Sequence, residues 1–273
     1  MIFKKIIQSL MQTSSDENPS SQRRGIQLKS QREIELIRES SIIVSFVLEE
    51  VKKMVKPNVT TLQLDEYAEK LVKELGAISS YKGYYGWPTS TCISINNEVV
   101  HGVPNANKII KNGDLVKIEL GCCLNEYHSN KSIAVTVGSI NENAEKLIET
   151  NEEAMNRVID KIKPGDSLLD LAGLIEDIVE SNGFSVVEDY TGSGIGRNLH
   201  EEPSVFNFRT KDLPNVVLQE GMTLMINPII NEGSKYCKTL EDRWTVVTKD
   251  GMLSSHLRHT VAITKSGIEV LTN

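Results

Sequence analysis

The sequence lacks the features that mark several common protein classes. Its four cysteines, Cys92, Cys122, Cys123 and Cys237, show no C-x-x-C spacing, and no secretory apolar run is present. Because two of the cysteines are adjacent, a simple disulfide framework is also disfavoured. We therefore expect free thiols in a reducing compartment, which indicates a cytoplasmic protein.

A net positive charge and a membrane-spanning run are missing as well, although a local basic patch is compatible with the composition. The formal net charge is −7 over 273 residues, whereas a nucleic-acid groove needs a concentrated positive field. We expect no sequence-specific nucleic-acid binding and no transmembrane segment. With 39% apolar residues, the chain can instead bury a substantial core.

Residues 1–25 differ in composition from the remainder. Residues 1–11, MIFKKIIQSLM, place their large apolar side chains on one helical stripe, which is typical of a short amphipathic helix. Such a segment is a frayed terminus, a docking helix or a targeting segment that alters location, and the sequence leaves these alternatives open. Residues 12–25 are polar and serine-rich and contain a proline, as in flexible linkers. We therefore expect a single folded domain over residues 26–273.

The folded part predicts two helix pairs, each followed by strands. Apolar residues at helical spacing predict helices over residues 31–55, 61–76, 143–162 and 167–182, with Thr61 as the cap of the second. Short β-rich runs predict strands: TCISI at 91–95, DLVKIEL at 114–120, SIAVTV at 132–137, SVVEDY at 185–190, MTLMIN at 222–227, RWTVV at 243–247, HTVAIT at 259–264 and IEVL at 268–271. The repeated order predicts an α+β fold with internal pseudo-symmetry.

A glycine-rich stretch, TGSGIGRNLHEEPSVF at residues 191–206, needs its own explanation. A dinucleotide-binding fingerprint requires a strand, a G-x-G-x-x-G turn and a helix, but no helical apolar period follows these glycines. We interpret the stretch as a turn whose glycines let the backbone pass close to a buried site.

Six short segments occur in an order that identifies a family. They are INNEVVHGVP at 95–104, NGDLVKIELG at 112–121, GSGIGRNLHEEP at 192–203, EGMTLMINPI at 220–229, DRWTVVT at 242–248 and HLRHTVAIT at 256–264. From about residue 26 onwards, the chain closely resembles the type I (bacterial-type) methionine aminopeptidases of peptidase family M24. The resemblance implies the pita-bread fold, in which a pseudo-two-fold antiparallel sheet is flanked by two helix pairs. It also implies a monomeric hydrolase that removes the initiator methionine from nascent chains at a two-metal site.

The metal-ligand positions of that family are all substituted in this chain. The two aspartate positions correspond to Glu119 and Asn130, the histidine position to Ser193, and the two glutamate positions to Asn227 and Arg258. Only one carboxylate is left, and a permanently charged guanidinium is added. Since a guanidinium opposes a divalent ion in a poorly solvated pocket, we expect no metal cofactor. If the protein is active, the resemblance implies two divalent ions, Co, Mn, Fe or Zn.

The substituted residues suggest a replacement for the metals. We predict that Arg258 projects into the former metal cavity and pairs with Glu119, while hydrogen bonds are completed by Asn130, Ser193 and Asn227. The alternative is a single weakly held ion at Glu119 with asparagine ligands.

Other positions of the family's site keep suitable residue types. The resemblance assigns acid/base and substrate-contacting roles to His101 and His200. The pocket for the methionine side chain corresponds to Tyr81, Tyr84, Trp87, Cys92 and Trp244. Tyr81 and Trp87 differ from the common residues of the family, and ordinary core packing is the alternative for the aromatic side chains.

Three further histidines lie near these segments. We expect His128 and His259 to be hydrogen-bonded structural residues. A rearranged metal site that uses His256 and His200 is an alternative, although it would need new geometry.

Two classes of function follow from these observations. The substituted ligands favour a catalytically inactive homologue that keeps a cleft for N-terminal peptides or nascent chains, or that serves an unknown protein partner. The retained His101 and His200 favour the alternative, an active methionine aminopeptidase with an atypical metal centre. A third hypothesis is hydrolysis with Ser193 as nucleophile and His200 as base, for which the sequence shows neither a third triad member nor an oxyanion hole.

Overall fold

The computed structural model describes residues 25–211 and 215–273 of the chain. The predicted amphipathic segment at residues 1–11 and almost all of the linker at residues 12–25 lie outside these ranges, so both stay predictions. Among the described residues, no helix is long and apolar enough to cross a membrane.

Four α-helices occur in the described ranges, and each begins at a polar cap. They are α1 (Gln31–Met54), α2 (Thr61–Glu74), α3 (Glu142–Lys161) and α4 (Leu168–Ser181). Ser30, for example, caps α1 and forms a capping box with Glu33, which satisfies backbone N–H groups that have no partner within the helix. All four helices agree closely with the predicted ranges, because such caps and the apolar period define them together.

The predicted cap of α2 is wrong by one residue. The side chain of Thr60 accepts a hydrogen bond from the backbone N–H of Gln63 at 3.2 Å, and the Gln63 side chain accepts one from the Thr60 N–H at 2.9 Å. The hydroxyl of Thr61 instead donates to the carbonyl of Asn105 at 3.2 Å. Two adjacent threonines are equivalent in the apolar pattern, and only the backbone angles distinguish the cap from the first helical residue.

Short strands make up most of the remaining regular structure. They are β1 (Ile78–Ser79), β2 (Thr91–Ile95), β3 (Glu98–Val100), β4 (Leu115–Leu124), β5 (Tyr127–Thr136), β6 (Ser185–Val186), β7 (Gly192–Gly194), β8 (Glu201–Val205), β9 (Thr223–Ile226), β10 (Ile229–Asn231), β11 (Cys237–Thr239), β12 (Val246–Thr248), β13 (Ser254–His256), β14 (His259–Thr264) and β15 (Gly267–Val270). Each predicted strand segment overlaps an observed strand. The segment SVVEDY is shortened to β6, since its regular pairing with β10 covers its first two residues, after which Val187 adds one backbone hydrogen bond to Ile229 at 2.9 Å.

The strands form two principal antiparallel sheets, one in each half of the chain. In the first half β4 lies between β2 and β1 and also pairs with β5. In the second half the order is β15-β14-β9-β7-β8. Helices α1 and α2 precede most of the first sheet, and α3 and α4 precede the second. This repetition confirms the predicted α+β pita-bread fold.

Each half has its own hydrophobic core between its helix pair and its sheet. The first core contains Val44, Leu48, Leu64, Ile93 and Ile118, and the second contains Leu147, Met155, Leu171, Leu224 and Val261. Burying one such side chain contributes roughly 1.5–3 kcal/mol. Many contacts of this size hold each helix pair against its sheet and so fix the frame of the cleft between the halves.

The two halves meet where β5 approaches β14. The Ser132 N–H donates to the Arg258 carbonyl at 3.1 Å and forms an isolated antiparallel bridge. Beside it, the Thr260 hydroxyl donates to the Asn130 carbonyl at 2.8 Å and accepts from the Asn130 N–H at 3.1 Å. This junction brings residues that are far apart in the sequence to the base of one cleft.

Candidate ligand-binding cleft

A cavity of about 470 Å³ lies between the two halves. Its wall includes all the residues for which the sequence predicts catalytic or substrate-binding roles, namely Tyr81, Tyr84, Trp87, Cys92, His101, His200 and Trp244. Of the five substituted positions, the residues that also line the cavity are Glu119, Asn227 and Arg258. Asn130 and Ser193 lie outside its lining. The structure thus gathers most of the predicted site residues around one cavity.

Glu119 and Arg258 reach the base of the cavity from opposite halves. Glu119 lies within β4, directly opposite Cys92 on β2 and Ser132 on β5. Since residues directly opposite each other in neighbouring strands share a face of the sheet, Glu119 and Cys92 both point into the cavity. Arg258 follows β13 and precedes β14, and its backbone bridge to Ser132 holds it against the first half.

The predicted ion pair is present at the base of the cavity. Arg258 Nη1 donates a hydrogen bond to Glu119 Oε1, and the Tyr81 hydroxyl donates to the same oxygen at 2.7 Å. Arg258 Nη1 also lies 3.5 Å from the Tyr81 hydroxyl. Glu119 and Arg258 retain only 4% and 8% of their surface exposed. Tyr81 therefore closes a buried network of three groups.

The remaining hydrogen bonds of the site differ in part from the prediction. With its amide oxygen turned toward the guanidinium, Asn227 accepts from Arg258 Nη2 at 2.8 Å and donates to the Leu257 carbonyl at 2.9 Å. Asn130 makes no side-chain hydrogen bond within the described part of the chain. Ser193 bonds to His200 rather than to the pair. The prediction that Asn130 and Ser193 join the network is therefore wrong, since neither side chain forms a hydrogen bond with Glu119 or Arg258.

The charges at the base of the cavity stabilise one another. Burial is the largest influence and by itself raises the pKa of Glu119, but the charge of Arg258 and smaller contributions, among them the hydrogen bond from Tyr81, together outweigh it, so the pKa lies below its ordinary value. Burial and the neighbouring carboxylate raise the pKa of the Tyr81 hydroxyl well above its ordinary value. Near neutral pH the network therefore holds one negative charge, one positive charge and one neutral phenol.

The two retained histidines line the cavity in neutral form. Burial lowers the pKa of His101, and burial followed by the charge of Arg258 lowers that of His200 to about 4. The His200 ring is enclosed by protein, yet a substantial part of its surface opens onto the cavity. His101 has a φ of 56°, which is unusual for a residue other than glycine. Ring contacts with Trp87 and Tyr190 at 6.3 and 5.4 Å fix its orientation.

The other histidines are occupied by structural contacts. His128 Nδ1 lies 2.9 Å from the Ser80 hydroxyl, and His259 Nδ1 lies 3.0 Å from the Thr272 hydroxyl, as expected for structural histidines. His256 Nδ1 donates to the Val99 carbonyl at 2.9 Å. Burial lowers the pKa of His256 to about 3, so this ring is neutral as well.

The donor set does not fit a pair of divalent cations. Within residues 25–211 and 215–273, no three His, Cys, Asp or Glu side chains are grouped so that they could hold a metal ion. The one carboxylate of the substituted set, Glu119, already binds Arg258 and Tyr81. Divalent cations need several anionic oxygen or imidazole ligands, whereas the centre of this site holds a guanidinium. The alternative site with His256 and His200 lacks a carboxylate shared by both rings, since only His256 approaches Glu119, at 3.9 Å.

The walls of the cavity are unusually rich in aromatic rings. Both tryptophans of the chain and four of its seven tyrosines line it, although aromatic residues make up only 5% of the sequence. Trp87 and Trp244 pack edge to face with ring centres 5.2 Å apart. Trp87 and Tyr81 also belong to a buried apolar cluster with Ile195 and Leu199. The predicted pocket residues therefore both pack together and form the wall, so the two interpretations of them are compatible.

Sequence reasoning missed part of the wall. The additional lining residues are Tyr85, Val100, Asp189, Tyr190, Thr191, Leu199 and Ile229. Asp189 and Tyr190 directly precede the glycine-rich stretch, and Thr191 and Leu199 belong to it, so the interpretation of that stretch as a turn beside a buried site could have included them. Tyr85 carries no such signal, because its φ of 49° arises from a tight turn that the sequence does not reveal.

Comparison with known proteins shows which family this chain belongs to. Residues 35–265 match the metallopeptidase family M24, and the chain belongs to this family. Methionine aminopeptidase 1 of Bacillus subtilis is 42% identical over 244 residues, which cover 89% of this chain and 98% of that protein. The methionine aminopeptidase of Clostridium perfringens is 47% identical over 246 residues, covering 90% and 98%.

A solved structure supports the same assignment. The crystal structure of the methionine aminopeptidase from Thermotoga maritima matches with a TM-score of 0.89 and 37% identity, over 91% of this chain and all of that chain. Within family M24, these relatives assign the chain to the type I methionine aminopeptidases. The predicted family is therefore confirmed.

Proposed function

We propose that this chain is a methionine aminopeptidase-like protein that binds N-terminal peptide segments without hydrolysing them. One observation carries the proposal: the Arg258 guanidinium, paired with Glu119, occupies the base of the cleft. Because both charges are buried and balanced, the base of the cleft is electrically neutral and already hydrogen-bonded.

The ion pair argues against metal-assisted hydrolysis. A guanidinium stays protonated at every relevant pH, so a divalent cation placed beside it would be repelled strongly in a site with little water. His101 and His200 can still accept a proton, but they do not polarise a carbonyl or ionise a water molecule as two cations would. The cleft thus contains two histidines that suit proton transfer, but the ion pair at its base opposes the binding of divalent cations.

The remaining cavity suits the end of a peptide. Its volume of about 470 Å³ falls within the range of small-ligand sites, which combine apolar walls with a few polar groups. Ring edges from Trp87, Trp244 and Tyr84 supply the apolar wall, while His101 and His200 supply hydrogen-bonding atoms. We propose N-terminal peptides, including those of nascent chains, as the occupants. An unknown protein partner, a cytoplasmic location and a monomeric state belong to the same proposal.

The alternative is an active methionine aminopeptidase with an atypical metal centre. Two observations favour it: the relatives at 42% and 47% identity are named methionine aminopeptidases, and His101 and His200 line the cleft. The alternative needs cations to displace the Arg258 pair, together with ligands that the described residues do not group together.

Metal analysis combined with a peptide assay distinguishes the two functions. The purified protein is supplied with cobalt, manganese, iron or zinc salts and dialysed, and the bound metal is measured. Release of methionine from the peptide Met-Ala-Ser is followed in parallel, and calorimetry records binding of the same peptide. We expect far less than one metal ion per chain, no methionine release and saturable binding.

Two controls make the outcome specific. The Bacillus subtilis relative, assayed in parallel, is the positive control for the peptide assay and for the metal-loading procedure. Trp244→Ala removes a ring from the cavity wall and is expected to weaken peptide binding, whereas Tyr236→Ala, an exposed residue outside the lining, should not. Stoichiometric metal together with turnover would establish the active alternative. No metal, no turnover and no peptide binding would exclude the peptide and leave a protein partner.

A further inference from the structure

Ser193 makes two short side-chain contacts that compete for one proton. Its hydroxyl oxygen lies 2.9 Å from the carbonyl oxygen of Gly194 and 3.2 Å from Nδ1 of His200. A carbonyl oxygen only accepts hydrogen bonds, whereas a hydroxyl donates one and accepts others. The hydroxyl proton therefore serves either the carbonyl or the imidazole, but not both.

The position of the His200 ring proton decides how many of these bonds form. If Nδ1 carries the proton, His200 donates to Ser193 while Ser193 donates to Gly194, and both contacts are hydrogen bonds. If Nε2 carries it, Nδ1 needs the hydroxyl proton, and the contact with the Gly194 carbonyl is lost. The first tautomer keeps one hydrogen bond more, so it is favoured.

The neutral ring leaves its other nitrogen as an acceptor. Enclosure by protein and the charge of Arg258 lower the pKa of His200 to about 4, so the ring carries a single proton near neutral pH. With that proton on Nδ1, Nε2 has a free lone pair. The tautomer of a histidine is set by the hydrogen bond that its other nitrogen makes, and here Ser193 makes it.

The free nitrogen faces the cavity. His200 lines the cavity whereas Ser193 does not, so the ring edge that holds Nδ1 points to the wall and the opposite edge points to the open space. Tyr84 packs against the ring at 5.7 Å between centres and restricts its rotation. A ligand in the cavity therefore meets an acceptor nitrogen at this position.

We propose that Ser193 is a positioning residue that fixes His200 as the Nδ1–H tautomer, so that Nε2 accepts a hydrogen bond from a backbone N–H of the bound peptide. The inference rests on the proposed function and names the ligand class more closely. The first amide N–H of a peptide belongs to its second residue, and a proline there has none. The cleft should thus prefer peptides whose second residue is not proline.

Nitrogen spectroscopy tests the tautomer directly. Two-bond ¹H–¹⁵N correlation spectra separate protonated from unprotonated imidazole nitrogens, and the chain has only five histidines. His200→Gln assigns the relevant signals. We expect a protonated Nδ1 and an unprotonated Nε2 for His200 in the intact protein. Ser193→Ala should move both signals toward an average of the two tautomers, and Ser193→Thr, which keeps the hydroxyl, should restore them. A protonated Nε2 in the intact protein would overturn the proposal.

Calorimetry with matched peptides tests the acceptor role. Met-Ala-Ser is compared with Met-Pro-Ser and with an analogue in which an ester oxygen replaces the first amide N–H. We expect about tenfold weaker binding of the ester analogue and of the proline peptide, a typical loss for one hydrogen bond that leaves its acceptor unpaired. In Ser193→Ala the difference in affinity between Met-Ala-Ser and its ester analogue should shrink to less than about threefold, and Ser193→Thr should recover the full difference.

The controls separate this inference from the proposed function. Ser181→Ala removes an exposed serine at the end of α4 and should leave the amide-to-ester difference unchanged. Equal binding of amide and ester peptides by the intact protein would overturn the inference while peptide binding stands. If no peptide binds, the proposed function fails together with the acceptor role, whereas the nitrogen spectrum still decides the tautomer.

Discussion

Arg258 and Glu119 form a buried ion pair although they lie 139 positions apart and come from opposite halves of the fold. The contact joins the halves at the base of the cleft. A buried pair of opposite charges stabilises the fold only in comparison with a protein in which one of the two charges is buried alone. Removing either partner is costly because it leaves the other charge desolvated and unpaired. The pair therefore makes the two positions interdependent.

Breaking the pair on one side should destabilise the fold strongly. We expect Arg258→Met to lower the free energy of unfolding by about 3–5 kcal/mol, the usual effect of leaving a buried charge without its partner. The double variant Glu119→Gln with Arg258→Met should recover much of this loss. Urea denaturation measures both. Arg197→Met, which breaks an exposed pair with Glu126, should leave stability nearly unchanged because solvent screens that pair, and an equally small effect of Arg258→Met would contradict the prediction.

Restoring metal binding should require the full set of ligands. Arg258→Glu alone places a second carboxylate beside Glu119, so we expect lower stability and no tight cobalt binding. A variant with all five positions changed to the family's residues should bind cobalt measurably in equilibrium dialysis, since four carboxylates and an imidazole then replace the pair. The full set is Glu119→Asp, Asn130→Asp, Ser193→His, Asn227→Glu and Arg258→Glu. Tight cobalt binding by the unchanged protein would show that the pair does not oppose the metal.

The buried His256 should make the protein sensitive to mild acid. Its pKa is lowered from 6.5 to about 3, so below pH 6.5 the unfolded chain binds a proton that the folded chain does not. The free energy of unfolding then falls by about 1.4 kcal/mol per pH unit for this group. His200 and His259, whose pKa values are lowered to about 4, act in the same direction.

His256→Gln isolates the contribution of this one residue. Between pH 6 and 5 most carboxylates stay ionised, so denaturation at these two values reports mainly on histidines. We expect the slope of stability against pH to decrease by about 1.4 kcal/mol per unit in the variant. An unchanged slope would mean that His256 binds a proton in the folded protein.

The fully buried Lys117 should make the free energy of unfolding depend on pH in the alkaline range. Burial lowers its pKa from 10.5 to about 7, and its amino group donates to the Asn96 carbonyl at 2.7 Å. Since the unfolded chain keeps this proton up to about pH 10.5, the free energy of unfolding should rise between pH 7 and 10. Lys117→Met should stabilise the protein by roughly 2–4 kcal/mol at pH 7 and abolish that rise. Exposed Lys70→Met should have neither effect.

Much of the fold and part of the site follow from the sequence. The helices were predictable because caps such as Ser30 coincide with clear apolar periods, and the family segments fixed the fold and the wall of the cleft. Pairing of Arg258 with Glu119 followed from the family resemblance, which puts both residues at one site, and from charge, since neither could stay buried there without a partner.

The local geometry of the substituted residues was less predictable. Whether Ser193 faces the pair or His200 depends on the direction of one side chain on the three-residue strand β7, and no sequence pattern reports that direction. Likewise, the hydroxyl of Tyr81 reaches Glu119 only because β1 and the following turn bring it above β4. Such contacts depend on how the segments pack and not on their residue order.

The placement of both tryptophans gives the protein an intrinsic optical reporter. Trp87 and Trp244, the only two in the chain, lie edge to face in the wall of the cleft. Ultraviolet emission excited at the red edge of the indole band therefore arises from this one place, and near-ultraviolet circular dichroism should carry the signature of two coupled indoles. Occupancy of the cleft can thus be followed in unlabelled protein, in dilute solution and in real time.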